Sequence, residues 1–135
     1  MNAVFVDTSY LLALELANDG NHTRAVQHWR GASSSTERMV TTSYVVDEVV
    51  TFFNHRGFHA KAVRVGNSLL RSPSVHLVHV DEALFFEGWA EFQKYYDKNF
   101  SLTDCISFVV MRQMTTHRAM AFDKHFEQAG FTTEP

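Results

Sequence analysis

The chain holds a single cysteine, Cys105, among 135 residues. No disulfide can form within it, so a disulfide-stapled secreted scaffold is excluded and a reducing compartment suits it. Only two prolines and six glycines are present, which excludes collagen-like and Pro/Gly-rich disordered chains. No apolar run approaches the roughly 18 residues of a membrane span, and the first residues lack a basic stretch followed by a cleavable apolar one. Neither sign of charge dominates. The formal net charge is −3 with neutral histidines, so no broad positive field marks a general nucleic-acid binder. A nuclease remains open, because an acidic metal site itself lowers the net charge. Together these absences point to a soluble cytoplasmic protein with no membrane contact.

What is present is ordinary globular composition, 45% hydrophobic and 20% charged, with twelve phenylalanines to fill an interior. The length suits one domain over residues 1–135, and no internal repeat divides it. Apolar strand-like runs alternate with helical periodicity. Ala3 to Val6 reads as a short buried strand, and Tyr10 to Leu16 turns helical before "NDGN" breaks it. His22 to Arg30 is a second helical piece, followed by the polar loop "GASSSTER" (31–38). "MVT" (39–41) reads as a strand leading into a helix from Ser43 to about Arg56. Ala60 to Leu70 is helical, and "VHLVHV" (75–80) reads as another buried strand. Asp81 caps a long helix toward Tyr96. A further helix runs from about Leu102 to Met114, then a core strand "AMAF" (119–122) and a short helix at "DKHFEQA". This alternation predicts an α/β fold, a mainly parallel sheet between two helical layers.

Ligands of such sheets bind beyond the carboxyl ends of the strands. Two apolar runs end there in an acid: "AVFVD" at Asp7 and "AMAFD" at Asp123. An aspartate is poor in strands and costly to bury without a partner. Glu48, inside "TTSYVVDEVVTFF", flanks the stripe of Val45, Val49, Phe52 and Phe53, whereas Asp47 falls nearly opposite and reads as solvated. Spacing alone leaves Glu48 evenly placed between an inward-looking acid and a boundary residue whose stem covers the core. Asp104 completes a Ser101-x-x-Asp104 helix-start pattern, for which capping is a sufficient explanation. It also shares a stripe with Phe108 and Met111. The four acids fall at strand ends or near helix starts, places that cluster on one edge of a parallel domain. Carboxylates so clustered repel one another and raise their pKa values. A hard divalent cation resolves this, with oxygen ligands suited to Mg²⁺ or Mn²⁺. Such an ion activates water and stabilises the leaving oxygen, so the expected chemistry is metal-assisted phosphodiester hydrolysis.

The stretches "VFVDTSYLLAL", "TTSYVVDEVVTFF", "FSLTDCISFVVM" and "AFDKHFEQAGF" resemble the PIN-domain family, and within it the VapC-like toxins of toxin–antitoxin pairs. The resemblance covers nearly the whole chain. It implies an α/β/α sandwich and a Mg²⁺- or Mn²⁺-dependent endoribonuclease. It assigns the catalytic and metal-binding acids to Asp7, Glu48, Asp104 and Asp123, with Asp7 and Asp104 directly on the ion and Glu48 and Asp123 completing the site directly or through water. Ser9 falls where the family often has a hydroxyl or amide near the metal. The resemblance also implies an RNA substrate, a homodimer, and a cognate antitoxin that inserts into the active-site groove.

Other features read more plainly. None of the eight histidines forms a zinc-ligand pattern, and His76 and His79 point to opposite faces of a strand. Lys124 and His125 follow Asp123 and either approach a phosphate or face solvent. Lys61, Arg64 and Arg71 share a helix face, which reads as a solvated charged surface before an RNA contact. Trp29, Trp89, Tyr95 and Tyr96 could stack bases, with core or dimer packing as the default. Two other functions compete. An aspartyl phosphatase of the haloacid dehalogenase type also places an Asp after its first strand, but its second Asp would fall on Ser9. A free-standing or catalytically inactive PIN-like module would bind RNA or a protein partner instead.

Overall fold

Val4, Phe5 and Val6 put apolar side chains on both faces of one strand, which fits the centre of a covered parallel sheet. A computed structural model describes residues 3–135 and places that strand, β1 (Ala3–Val6), fully buried between β2 (Arg38–Thr42) and β4 (Arg118–Met120). β3 (Val75–Val78) lies beyond β2, and β5 (Thr132–Glu134) beyond β4. Every pairing is parallel, in the order β3-β2-β1-β4-β5. Phe5 stands in register with Val40 on one side and Ala119 on the other.

Among the described residues seven helices join the strands: α1 (Thr8–Glu15), α2 (His22–Ala32), α3 (Ser43–His55), α4 (His59–Arg71), α5 (Glu82–Lys94), α6 (Leu102–Gln113) and α7 (His125–Gln128). The alternation of β1 divides the core. Val6 faces a groove lined by Tyr10 and Leu11 of α1, Trp29 of α2, and Val65 and Leu69 of α4. Phe5 turns the other way onto Phe126 of α7, whose ring in turn meets Phe108 of α6 edge-on at 5.1 Å. The result is the expected three-layer α/β/α arrangement. α5 packs on α6 at Gly88. A Cβ there would lie 2.3 Å from Ile106 Cγ1 and 3.3 Å from Ile106 Cα, so only glycine permits this approach.

Three expectations shift. "VHLVHV" is not a fully buried strand: β3 stops at Val78, sits at the edge of the sheet, and leaves His76 exposed. The last core strand covers Arg118–Met120, so Asp123 lies in the turn beyond β4, three residues past its end. The short polar strand β5 has no counterpart in the sequence reading, because "TTE" carries no apolar alternation.

The chain runs β1, β2, β3 outward in one direction and then returns to place β4 on the opposite flank of β1. The strand order therefore reverses between β1 and β4. In open parallel sheets that crevice, at the carboxyl ends, is the ligand site. Asp7 follows β1 and Asp123 follows β4.

Candidate active site

Asp7 ends β1 and serves as the N-cap of α1, its Oδ2 accepting from the backbone N of Ser9 at 3.1 Å and from Ser9 Oγ at 2.6 Å. Aspartate favours this position because its carboxylate satisfies a free N–H of the first turn. Ser9 Oγ in turn accepts from the backbone N of Phe122 at 3.0 Å. One hydroxyl thus ties the start of α1 to the turn that carries Asp123, which explains why a hydroxyl residue suits position 9.

Asp104 is the N3 residue of α6. Ser101 Oγ accepts from its backbone N, and its own Oδ2 accepts from the backbone N of Ser101, each at 3.0 Å. Capping does not keep Asp104 out of the cluster, since the same carboxylate that caps α6 also lies beside Asp123 and His125. Asp123 accepts at Oδ1 from the backbone N of His125 at 2.9 Å. Atoms of Asp104, Asp123 and His125 that could each hold a cation lie within 4.8 Å of one another.

The electrostatics tie Asp7 into the same cluster. Asp7 is 3% exposed and Asp104 6%. Burial, then repulsion by Asp123 and more weakly Asp104, pushes the Asp7 carboxyl up to about 7 from its ordinary 3.8, against the pull of the two Ser9 hydrogen bonds. Asp123 is raised by burial and by Asp104, opposed by the His125 backbone N–H, by His125 and by a hydrogen bond with Asp7. Asp104 and Asp123 therefore stand close enough to Asp7 to hinder its ionisation, and Asp104 does the same to Asp123. Their oxygens form a hard donor set, and the repulsion among them is the condition a divalent cation relieves, so the residues present fit a hard divalent cation.

Glu48 joins differently. Within α3 it turns inward, and its Oε1 accepts from Thr8 Oγ1 at 2.7 Å. That bond carries it to the first residue of α1, beside Asp7. Its placement rests on Thr8, the neighbour of Asp7 in the chain. Asp47 is exposed and accepts from Thr51 Oγ1, as a solvated acid should.

His125 is the residue that sequence reasoning undervalued. Its Nδ1 lies 2.7 Å from Asp104 Oδ2. No spacing rule could reveal a contact across 21 positions between two helix starts. Lys61, Arg64 and Arg71 lie on α4, away from the acids. Lys61 Nζ donates to the backbone O of Glu15, and Arg64 pairs with the Glu15 carboxylate at 3.1 Å.

The chain matches the family model of the PIN domain over residues 4–132. It is 34% identical over 128 residues to the 23S rRNA-specific endonuclease VapC20 of two Mycobacterium tuberculosis strains, covering 95% of this chain and 95% of each relative. The crystal structure of M. tuberculosis VapC20, described as a Sarcin-Ricin loop cleaving toxin, superposes with a TM-score of 0.88, covering 98% of this chain and 99% of that one. FitAcB from Neisseria gonorrhoeae superposes with a TM-score of 0.67 at 15% identity, over 98% of this chain and 96% of that one, and shows likeness of fold alone. The expected fold and the kinship with toxin endonucleases are borne out, and the aspartyl-phosphatase alternative falls away.

Proposed function

The chain belongs to the PIN-domain family, and from that premise we propose that it is a divalent-cation-dependent endoribonuclease with the role of a toxin, its site built from Asp7, Glu48, Asp104 and Asp123. The observation that carries this reading is the meeting of Asp7, Asp104 and Asp123 in the crevice between β1 and β4, two of them with raised pKa values.

Asp7, Asp104 and Asp123 would hold Mg²⁺ or Mn²⁺, with Glu48 completing the set from the side of α3. When bound, the cation supplies Lewis-acid activation of water and charge compensation at the phosphate. The chain's own residues prepare that site. Ser9 fixes Asp7 through Oδ2, Ser101 fixes Asp104, Thr8 fixes Glu48, and the His125 backbone fixes Asp123. Asp7, Asp104 and Asp123 reach the crevice at or just before helix starts, and Glu48 from within α3, each held by a hydrogen bond, so little rearrangement accompanies loading.

Likeness to VapC20 supports a structured loop of large ribosomal RNA as the substrate. A cognate antitoxin is the expected inhibitor. The apolar groove of about 580 Å³ between α1, α2 and α4 supports docking of an apolar protein segment. The exposed Phe86, Trp89 and Phe92 on α5, with Trp89 and Phe92 stacked at 5.6 Å, support homodimer formation.

The deciding experiment incubates the protein with large-subunit ribosomal RNA and Mn²⁺, then repeats the reaction with chelator and with Asp104→Asn. A discrete cut that depends on both the cation and Asp104 is the expected result. Cutting that survives chelation and substitution would sink the proposal.

A further inference from the structure

His125 holds two acids at once by two different groups. Its backbone N donates to Asp123 Oδ1 at 2.9 Å, and its ring Nδ1 meets Asp104 Oδ2 at 2.7 Å. In its ionised form, the one that would bind a cation, Asp104 only accepts hydrogen bonds, and His125 Nδ1 is then the donor of this pair. A nitrogen that carries a proton has no lone pair for a cation. Only Nε2, on the far side of the ring, could ligate, and hard cations prefer oxygen.

The ring is itself held. Phe100, 5% exposed, packs edge-on against it at 5.5 Å between centroids, braced by Tyr95 and Phe108 at 5.0 Å each. Asp104 Oδ2 is thereby occupied twice, by Ser101 N and by His125 Nδ1. Asp104 Oδ1 has no partner among the described residues. It is not sealed in either, since Glu91 Oε2 is the one buried side-chain oxygen among them without a partner.

We propose that His125 is a positioning residue: its imidazole pins Oδ2 of Asp104 so that Oδ1 is presented to the divalent cation. The inference rests on the cation-binding reading of Asp104. It separates His125 from the ligands although it lies among them. Orienting partners of this kind typically carry a 10–100-fold effect on metal affinity.

The test measures Mn²⁺ affinity by calorimetry, with kcat and KM for RNA cleavage, in the unmodified protein and in His125→Ala, His125→Asn and His125→Gln. All three variants keep the backbone bond to Asp123. Asparagine places its amide nitrogen about where Nδ1 stands, one bond from Cγ, whereas glutamine reaches about as far as Nε2. The expected pattern is a loss of about 10-fold or more in Mn²⁺ affinity for the alanine and glutamine variants, recovery to within about threefold for asparagine, and no special loss for Ni²⁺. Mn²⁺ affinity unchanged in His125→Ala overturns the positioning role. Failure of asparagine to rescue, with Ni²⁺ affected more than Mn²⁺, overturns it in favour of a direct ligand. Absence of Mn²⁺ binding in the unmodified protein overturns instead the reading on which it rests. Melting curves of the metal-free variants show that each one folds.

Discussion

Thr8 Oγ1 donates a 2.7 Å hydrogen bond to Glu48 Oε1 across 40 positions of sequence. This is the contact that brings α3 into the site, since Glu48 is placed by Thr8 rather than by the other acids. Thr8→Val keeps the shape and removes the donor. We expect it to lower cleavage and Mn²⁺ affinity by about tenfold, and Thr8→Ser to restore most of both. Equal activity in all three proteins would detach Glu48 from the site.

Asp7→Asn separates charge from structure. The amide oxygen can still accept from Ser9, and asparagine caps helices as well as aspartate does, so α1 should persist. Cleavage and Mn²⁺ binding should fall by at least about a hundredfold. Circular dichroism should be unchanged. A folded variant that still cleaves at the original rate would remove Asp7 from the reaction.

The pH dependence has a definite sign. Asp7 titrates at about 7 in the fold against 3.8 ordinarily. Between those values the folded chain holds a proton that the unfolded chain has released. Stability of the metal-free protein therefore falls as pH rises through this window, by an amount on the order of a few kcal/mol. Melting in EDTA should occur at lower temperature at pH 8 than at pH 5. Mn²⁺ should reverse most of the loss at pH 8, because the cation binds the deprotonated carboxylates. The same melts on Asp7→Asn should show a flatter profile.

Gly88→Ala tests the packing of α5 on α6. Alanine gains about 1 kcal/mol of helix propensity over glycine. The added Cβ, however, meets Ile106 at 2.3 Å, including a backbone atom nearby at 3.3 Å. We expect a net destabilisation of about 1–3 kcal/mol and a Tm lower by several degrees. A rise in Tm would mean that the two helices separate without loss.

Much of this was legible beforehand because the chemistry sits where the backbone pattern breaks. Asp7 is conspicuous as an acid ending an apolar run, and the neighbouring hydroxyls are explained once Ser9 is seen to bridge Asp7 and Phe122. Asp104 was ambiguous for a physical reason: one carboxylate both caps the α6 N-terminus and stands in the acidic cluster. His125 was opaque because its meaning depends on where α6 and α7 come to lie. β3 misled because apolar, β-branched content reports packing on the faces of a sheet, and not whether a strand has neighbours on both edges.

The strand order has a consequence in time. β1 pairs with β2 early in the chain but meets β4 only after residue 118 has been made. Asp7 and Glu48 thus exist long before Asp104 and Asp123, and Ser9 waits for the amide of Phe122 to lock its hydroxyl. A chain that stops before Asp104 carries only Asp7 and Glu48 of the four acids, and one that stops before β4 still lacks Asp123. The acids proposed above can therefore come together only after the segment that carries Asp104 and Asp123 has folded back onto β1.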